Sequence, residues 1–393
     1  MNEISAGPQA RHRALILAEL PPGAARSRKE LSARTGLSPA TVLRITGRLL
    51  KGQLLREAEP RAKAGAGRPS PELEINGRAG AVLGISLLAP AARVLLLNLK
   101  GEVLREVQAP LDLRRGKDGV LSVLKGLVQK ASRQLPANTG SLIGAGVAVP
   151  GQWSMKDGVS LTYPGLADWS DVPLRTLVEG WTGLPAHLIG YTPALAVAEQ
   201  AARAQVEFRH LACIYVDDHV GLGAIANGEV LEGVSGNAGE LGHLTVQPDG
   251  PLCYCGNTGC LERLASCAAV LERMKESEAG RLRGGAAPQS FEEVAEMARG
   301  GHPFAARLLG RAATLLGIGV AAALNLLNPQ IVVLNGRFFD AGDLVLEPLR
   351  QSLKNRALPS SFQPITIERS TLGPRAGALG AGVTAIRRAL RAL

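Results

Sequence analysis

Apolar residues recur at helical spacing in three short segments near the start of the chain. The first segment is Arg13–Leu20. The second follows Ser27. Glu30, three residues later, completes the pattern of a capping box, in which the side chains of these two residues accept hydrogen bonds from backbone amides at the start of the helix. Gly36 breaks this segment, and Ser38 is placed to cap a third helix. The pattern therefore predicts a helix followed by two further helices that are joined by a tight glycine turn.

The third segment divides into an apolar face and a polar face. Val42, Ile45 and Leu49 share the apolar face, because residues three and seven positions apart lie on one side of a helix. The opposite face carries Thr41, Arg44 and Arg48. Two strand-like runs, Leu54–Glu57 and Glu72–Asn76, then flank a glycine-rich stretch. Together these elements predict a winged helix-turn-helix unit at the N-terminus.

The pattern changes at about Ala81, where short apolar runs alternate with turns. Three consecutive strand-like runs are followed by alternating helix and strand patterns, and the same succession starts again at Ala212. Such a repeat predicts a duplicated, two-lobed α/β fold. The predicted domains are the winged-helix unit 1–78, a first lobe 79–190, and a second lobe 191–393 that includes an oligomerisation surface and a closing C-terminal helix.

Composition is that of a globular protein, but the charge is concentrated at one end of the chain. With 46% hydrophobic and 20% charged residues, wholesale disorder is excluded, and neither a membrane span nor a secretion signal is expected. Residues 1–78 hold 14 Lys+Arg against 7 Asp+Glu, so +7 of the net charge of +10 lies there. This concentration favours a nucleic acid partner over a membrane, although charge alone also fits a solvated basic domain.

A winged helix with a basic outer face predicts contacts to double-stranded DNA. In this class of domain the last helix enters the major groove, so Thr41 and Arg44 are expected at base edges. Arg48 and Lys51 are expected nearer phosphates. Arg68 is held extended by the proline that follows it, which suits a narrow, A·T-rich minor groove; a basic linker is the alternative. The predicted DNA-binding residues are Ser38, Thr41, Arg44, Arg48, Lys51 and Arg68.

One histidine and three cysteines form the sharpest local signal, with the spacing H-x9-C-x-C-x4-C. They are His243, Cys253, Cys255 and Cys260. Nitrogen and sulfur ligands at such spacing are typical of tetrahedral Zn²⁺, and four ligands leave no open position, so the predicted site is structural. The alternative is a group of unligated thiols. Five cysteines in this arrangement also indicate a reducing, cytoplasmic compartment rather than a disulfide framework.

These motifs together resemble the ROK family of repressors, open reading frames and kinases. The resemblance rests on the winged helix, the strand GVAVPG, the segment GELGH and the cluster CYCGNTGC, and it covers essentially the whole chain. It implies a sugar-kinase-like body of the actin-like fold behind the DNA-binding unit. It also implies that zinc binds the histidine and the three cysteines, and that Glu240, His243 and Glu262 hold sugar hydroxyls.

Four positions depart from the pattern of the kinase members. Residues 86–90 read Ser-Leu-Leu-Ala-Pro in place of the phosphate loop Asp-x-Gly-Gly-Thr, and they lack the acid and the glycines that let amides approach phosphates. Tyr191 stands where those kinases carry the catalytic aspartate. The second phosphate loop reads Asp-Asp-His at 217–219, and the glycine triplet near the nucleotide survives as Asn-Gly-Arg at 335–337. The chain is therefore predicted not to be an enzyme.

The leading hypothesis is a transcriptional repressor that binds a palindromic, A·T-rich operator as a homodimer or a dimer of dimers. A sugar or sugar derivative in the cleft between the lobes is the expected effector; a closed or empty cleft is left open, because the ring of Tyr191 could fill the space. Two further hypotheses compete with this one. The chain could be an ATP-dependent sugar kinase with an accessory DNA-binding domain, or a constitutive architectural module without an effector.

Overall fold

The computed structural model describes residues 7–58, 71–133, 135–204, 206, 208–277 and 287–392. The chain divides into two compact units. The first consists of Met1–Glu207 with Pro374–Leu393, and the second is Phe208–Gly373. These boundaries differ from the lobes 79–190 and 191–393 expected from chain order, because the chain returns to the first unit at its end.

The first unit begins with the helices and the small sheet of a winged helix. Its elements are α1 Pro8–Ala18, β1 Ala25–Ser27, α2 Arg28–Thr35, α3 Pro39–Lys51, β2 Leu55–Glu57 and β3 Glu72–Ile75. The capping box forms as predicted: the hydroxyl of Ser27 accepts from the N–H of Glu30, whose carboxylate accepts from the N–H of Ser27. Gly36 ends α2 at a φ of 70°, which glycine adopts readily. The strand β1 adds to the predicted wing and gives the order β1-β3-β2.

A five-stranded sheet forms the body of the first unit, in the order β10-β7-β4-β5-β6. Its strands are β4 Ala81–Ser86, β5 Ala91–Asn98, β6 Val103–Pro110, β7 Leu142–Val149 and β10 Ala186–Gly190. β4, β5 and β6 form an antiparallel meander in which Ala81 lies opposite Asn98, and β7 and β10 continue the sheet in parallel. The remaining elements of this unit are α4 Gly116–Ser132, β8 Trp153–Ser154, β9 Val159–Ser160, α5 Leu174–Thr182, α6 Tyr191–Ala202 and α13 Ala376–Ala392.

Both faces of this sheet are buried, which explains why β4 and β5 read as continuous apolar runs. Leu96 on β5 faces a core that α4 and α5 share, whereas Leu95 and Leu97 face a second core on the other side. That second core also contains Val42 of α3 and Ile386 of α13. The winged helix therefore shares its hydrophobic core with the body of the first unit.

The helix α13 lies so close to the sheet that glycines are required at the contact. A Cβ atom on Gly84 of β4 would lie 2.1 Å from the carbonyl oxygen of Ala378, and one on Gly146 of β7 would lie 1.9 Å from that of Ala381. Because these glycines have no side chain, the backbones of helix and strands approach directly. This packing fixes the C-terminal helix, which chain order had assigned to the second lobe, in the first unit.

The second unit repeats the sheet order of the first, as β13-β12-β11-β14-β15. β11 pairs antiparallel with β12 and parallel with β14, just as β4 pairs with β5 and β7. The strands are β11 Leu211–Val216, β12 Val220–Ala226, β13 Glu229–Val230, β14 Ile331–Asn335 and β15 Thr366–Arg369. The helices are α7 Glu262–Ala265, α8 Cys267–Glu276, α9 Phe291–Arg299, α10 Pro303–Leu327, α11 Asp343–Arg356 and α12 Pro359–Phe362. The same strand order in both units confirms the predicted duplicated α/β fold.

The helix α10 is long and apolar enough to cross a membrane by length and composition, and 56% of its most apolar stretch is buried inside the protein. Leu309, Leu316 and Leu324 lie in the hydrophobic core of the second unit. The N-terminus of the helix is capped by the side chain of His302, which accepts from the N–H of Ala305. These contacts are those of a core helix.

Candidate functional site

The predicted metal ligands converge in the second unit. One ligand atom from each of His243, Cys253, Cys255 and Cys260 lies within 4.8 Å of all the others. The Sγ atoms of Cys255 and Cys260 are 3.7 Å apart, and Cys253 Sγ is 3.7 Å from His243 Nδ1. With Zn–S bonds of about 2.3 Å, two sulfurs of a tetrahedron lie about 3.8 Å apart. The spacing and the chemistry of these donors therefore fit a four-coordinate zinc ion held through Nδ1 of the histidine.

Two tight turns bring the ligands together. Isolated antiparallel bridges join Thr245 to Cys260 and Leu252 to Thr258, so the cysteine loop folds back on itself. Gly259 has a φ of 67°, and a Cβ atom there would lie 1.6 Å from the carbonyl oxygen of Gln247. Only glycine fits this position, which is why the ligand Cys260 directly follows one.

The second ring nitrogen of His243 faces polar groups. His243 Nε2 lies 3.8 Å from a carboxylate oxygen of Glu240 and 3.3 Å from the hydroxyl of Tyr254. Metal-bound histidines need such an acceptor, since it orients the ring. Tyr254 stands between Cys253 and Cys255 in the sequence, and sequence reasoning had not singled it out. Its ring packs edge-on against the imidazole of His243, with 5.2 Å between the ring centroids.

The third predicted sugar residue, Glu262, links the cysteine loop to the turn after β11. It is 5% exposed, and one oxygen accepts from the N–H of Val220 at 2.9 Å while the other lies 3.4 Å from His219 Nδ1. Burial raises the pKa of this carboxyl, but the hydrogen bond and charge of His219 outweigh burial and lower it overall. At Glu240, burial and the nearby charge of Glu262 raise the pKa. The structure thus brings Glu240, His243 and Glu262 together.

The first phosphate-loop position is held by a tyrosine. The hydroxyl of Tyr163 accepts from the N–H of Ala89 at 2.9 Å and donates to the carbonyl oxygen of Leu87 at 2.6 Å. Burial raises the pKa of Tyr163 to about 12, so the phenol keeps its proton at neutral pH. The side chain of Leu87 is fully buried. An amide that would face a phosphate in a glycine-rich loop is therefore occupied here by a side chain of the protein.

Tyr191, which the resemblance places at the position of the kinases' catalytic aspartate, is the first residue of α6. A Cβ atom on Gly377 would lie 2.5 Å from Cε2 of Tyr191 and 3.2 Å from Oγ of Ser86, so the ring, the end of β4 and the start of α13 meet at one point. All three belong to the first unit. The ring of Tyr191 therefore packs against Gly377, close to the end of the strand that leads into residues 86–90.

A single arginine joins the other two altered loops in the second unit. Arg337 Nε lies 2.7 Å from Asp217, Nη2 lies 3.1 Å from Asp218, and Nη1 lies 3.0 Å from Glu292. The hydrogen bond to Asp217, opposed by partial burial, raises the pKa of the guanidinium further above its ordinary value. The two positions that the resemblance assigns to the nucleotide are therefore bridged by an internal ion-pair network.

Some of the predicted DNA-binding side chains are hydrogen-bonded within the protein, and others are exposed to solvent. Ser38 caps α3, and its hydroxyl accepts from the N–H of Thr41 and donates to Oγ1 of Thr41 at 3.0 Å, so the two hydroxyls are engaged with each other. Arg48 donates to the side chain of Gln9 on α1 at 2.9 Å. Arg44 and Lys51 are exposed, and Arg68 lies outside the described residues.

Comparison with known proteins agrees with this architecture. A profile of the ROK family matches residues 82–388. The xylose repressor of Caldicellulosiruptor bescii is 31% identical over 365 residues, which cover 90% of this chain and 90% of that protein. The glucokinase of Thermotoga maritima is 28% identical over 307 residues, which cover 76% of this chain and 95% of the glucokinase.

A solved structure of similar length has the same fold. It is a ROK family transcriptional regulator, a homologue of the E. coli MLC protein, with a TM-score of 0.79 and 26% identity. The superposition covers 98% of this chain and 96% of that chain, so the likeness extends over nearly the whole of both chains. From the family profile, the sequence identity and the shared fold, the chain is a member of the ROK family.

Proposed function

We propose that this chain is a DNA-binding transcriptional repressor of the cytoplasm that responds to a sugar and has no kinase activity. The observation that carries the proposal is the exposed basic face of α3, with Arg44 and Lys51 free to contact DNA, in a chain that aligns with a xylose repressor over 90% of its length. A homodimer or a dimer of dimers on a palindromic, A·T-rich operator supplies two winged helices for two half-sites.

The loss of kinase activity is supported by what occupies the four altered positions. Tyr163 takes the amide of Ala89, the ring of Tyr191 replaces a carboxylate base, and Arg337 pairs with the acids of the second loop. Phosphoryl transfer requires glycine-rich backbone, a base and a magnesium-bound nucleotide at these positions. The similarity to a glucokinase is the argument for the competing function, a sugar kinase with an accessory DNA-binding domain.

The zinc ion has a structural role in this proposal. His243, Cys253, Cys255 and Cys260 would hold it, and bound zinc would pin the loop that carries Glu240 at one end and Glu262 at the other. Glu240, Glu262 and Nε2 of His243 would bind sugar hydroxyls. A sugar alters operator affinity only if it binds one conformation of the protein more tightly than the other, so the effect has to be measured on DNA binding.

The test is selection of binding sites from a random double-stranded DNA library with the full-length protein at about 0.15 M salt. We expect palindromic sites that bind at least about 10³-fold more tightly than random DNA, with affinity that falls as salt rises. The same sites are then titrated with a panel of pentoses, hexoses and amino sugars. Equal affinity for all DNA sequences would exclude the proposed repressor function. Selective binding that no sugar changes would favour the alternative of a constitutive architectural module without an effector.

A further inference from the structure

One large apolar side chain projects from the basic face of α3. Leu43 is 59% exposed, whereas Val42 and Ile45 beside it lie in the hydrophobic core. Among the described residues of the winged helix, 7–58 and 71–78, the only other exposed large apolar side chain is Leu15 on α1, at 47%. Leu43 is not part of the core around it, so burial does not account for its place on this face.

The surroundings of Leu43 leave it prominent on the helix surface. Ala40 lies one turn before it and is exposed, and Gly47 lies one turn after it. A Cβ atom on Gly47 would have no other atom within 4 Å, so the helix backbone is bare there. Arg44 flanks the strip that these three residues form. The result is a shallow apolar strip with a single protruding side chain, next to an exposed guanidinium.

The major groove offers one apolar group among its base edges, the 5-methyl group of thymine. Arg44 has the chemistry to pair with guanine or phosphate, whereas the methyl group of thymine is recognised by apolar contact, which the exposed side chain of Leu43 can provide. We infer that Leu43 determines operator specificity by packing against the 5-methyl group of a thymine in each half-site. The inference rests on the proposed DNA-binding function and adds a contact that sequence reasoning had missed.

The size of the effect follows from the area of one methyl group. Burial of one methyl group strengthens binding by about fourfold. Removing the methyl from one half-site should weaken the complex by that factor, and removing it from both half-sites of a symmetric operator should weaken it by about sixteenfold. Leu43→Ala removes the protein side of the same contact, and alanine preserves the helix because of its high helix propensity.

The experiment is a double-mutant cycle between protein and DNA. An operator selected with the full-length protein is synthesised with deoxyuridine in place of each thymidine in turn, which removes only the methyl group. Affinities are measured by fluorescence anisotropy for the unchanged protein, for Leu43→Ala and for the control Leu15→Ala. We expect one position per half-site at which deoxyuridine weakens the unchanged protein and the control about fourfold and leaves Leu43→Ala unaffected.

The possible outcomes distinguish failure of the inferred thymine contact from failure of the proposed DNA-binding function. If the protein binds its operator selectively but deoxyuridine has the same effect on Leu43→Ala as on the unchanged protein at every position, the thymine contact is wrong and the repressor function stands. If the unchanged protein has no sequence preference at all, the proposed function fails and the inference fails with it. Circular dichroism and thermal unfolding of each variant test whether the helix content and the stability of the whole protein are unchanged.

Discussion

At the scale of single residues, side chains of the protein contact the positions that the resemblance assigns to the phosphate loops and the catalytic base of sugar kinases. The sequence alone predicted that the loops at 86–90, 217–219 and 335–337 had lost their kinase motifs. It did not predict the replacements, because Tyr163 and Ala89 or Arg337 and Asp217 are far apart in the chain and no local pattern relates them. The metal ligands were predictable, since their spacing is itself the signal.

Replacement of one zinc ligand tests the metal site. Cys255→Ser is expected to release zinc and to lower the free energy of unfolding of the second unit by about 3 kcal/mol, the loop-closure entropy for a segment of this length. Metal content by mass spectrometry and thermal unfolding measure the two effects. The control is Cys267→Ser, at a buried cysteine outside the cluster, which should keep its zinc. Equal zinc content in both variants would mean that Cys255 is not a ligand.

Restoring one acid should not restore phosphoryl transfer. Tyr191→Asp returns the general base to its position, but Tyr163 still holds the first loop and Arg337 still pairs with the acids of the second. We therefore expect no ADP release above background in a coupled assay across hexoses and amino sugars, with the Thermotoga maritima glucokinase as the positive control. Turnover by this variant would show that the altered loops still admit a nucleotide.

Two exposed basic residues on α3 are expected to differ in their contribution to binding. Arg44→Ala should relax the preference at one base-pair position and cost about 1–3 kcal/mol on the operator, if a base edge is its partner. Lys51→Ala should weaken binding to all sequences alike and reduce the salt slope by about one, because the partner expected for Lys51 is a phosphate. Salt titrations on operator and random DNA measure both. The same loss of specificity in the two variants would contradict this assignment.

At the scale of elements, the sequence predicted helices with clear caps and strands in apolar runs. Ser27, Glu30, Gly36 and Ser38 act as predicted at the ends of α2 and α3. The strand β1, with three residues, and helices such as α5 and α11 were not predicted, because short or weakly patterned segments depend on tertiary contacts for their stability. The unit to which α13 belongs is decided by its contact with β4 and β7 rather than by its place in the chain.

Replacement of two helical glycines by alanine is expected to have opposite effects on stability, because one glycine lies at a close helix contact and the other does not. A Cβ atom on Gly380 of α13 would lie 1.8 Å from the carbonyl oxygen of Ala194 on α6, whereas one on Gly126 of α4 would meet nothing within 4 Å. Gly380→Ala is therefore expected to destabilise the protein by about 1–3 kcal/mol or more through overpacking. Gly126→Ala should stabilise it by about 0.5–1 kcal/mol. Urea denaturation compares them; a stabilising Gly380→Ala would mean that α6 and α13 are not in close contact.

At the scale of the molecule, the winged helix is part of the first unit rather than an appendage on a linker. Val42 of α3, Leu95 and Leu97 of β5 and Ile386 of α13 lie in one core. A core shared in this way unfolds cooperatively, so the stability of the DNA-binding helices depends on the body behind them. The sequence did not predict this, because the apolar face of α3 has the same pattern whether it packs against its own unit or another.

Because α3 and β5 share one core, a cavity in that core should reduce the protection of both elements from amide hydrogen exchange. Ile386→Ala creates a cavity in this core and is expected to cost about 2–5 kcal/mol. It should therefore speed amide hydrogen exchange in α3 and in β5 together, as measured by mass spectrometry. Leu349→Ala, which removes the same number of carbons from the core of the second unit, should leave exchange in α3 unchanged. Unchanged exchange in α3 of the Ile386 variant would mean that the winged helix folds independently.

The bridge that Arg337 makes to Asp217 and Asp218 has a consequence for the cell's metabolism. The guanidinium of this chain's own arginine lies at a position that the resemblance assigns to the nucleotide of sugar kinases. If the chain is the sugar-responsive repressor proposed above, its operator occupancy is expected to follow the supply of sugar and not the ratio of ATP to ADP. Such a repressor would still respond to its sugar when the ATP level of a starving cell falls.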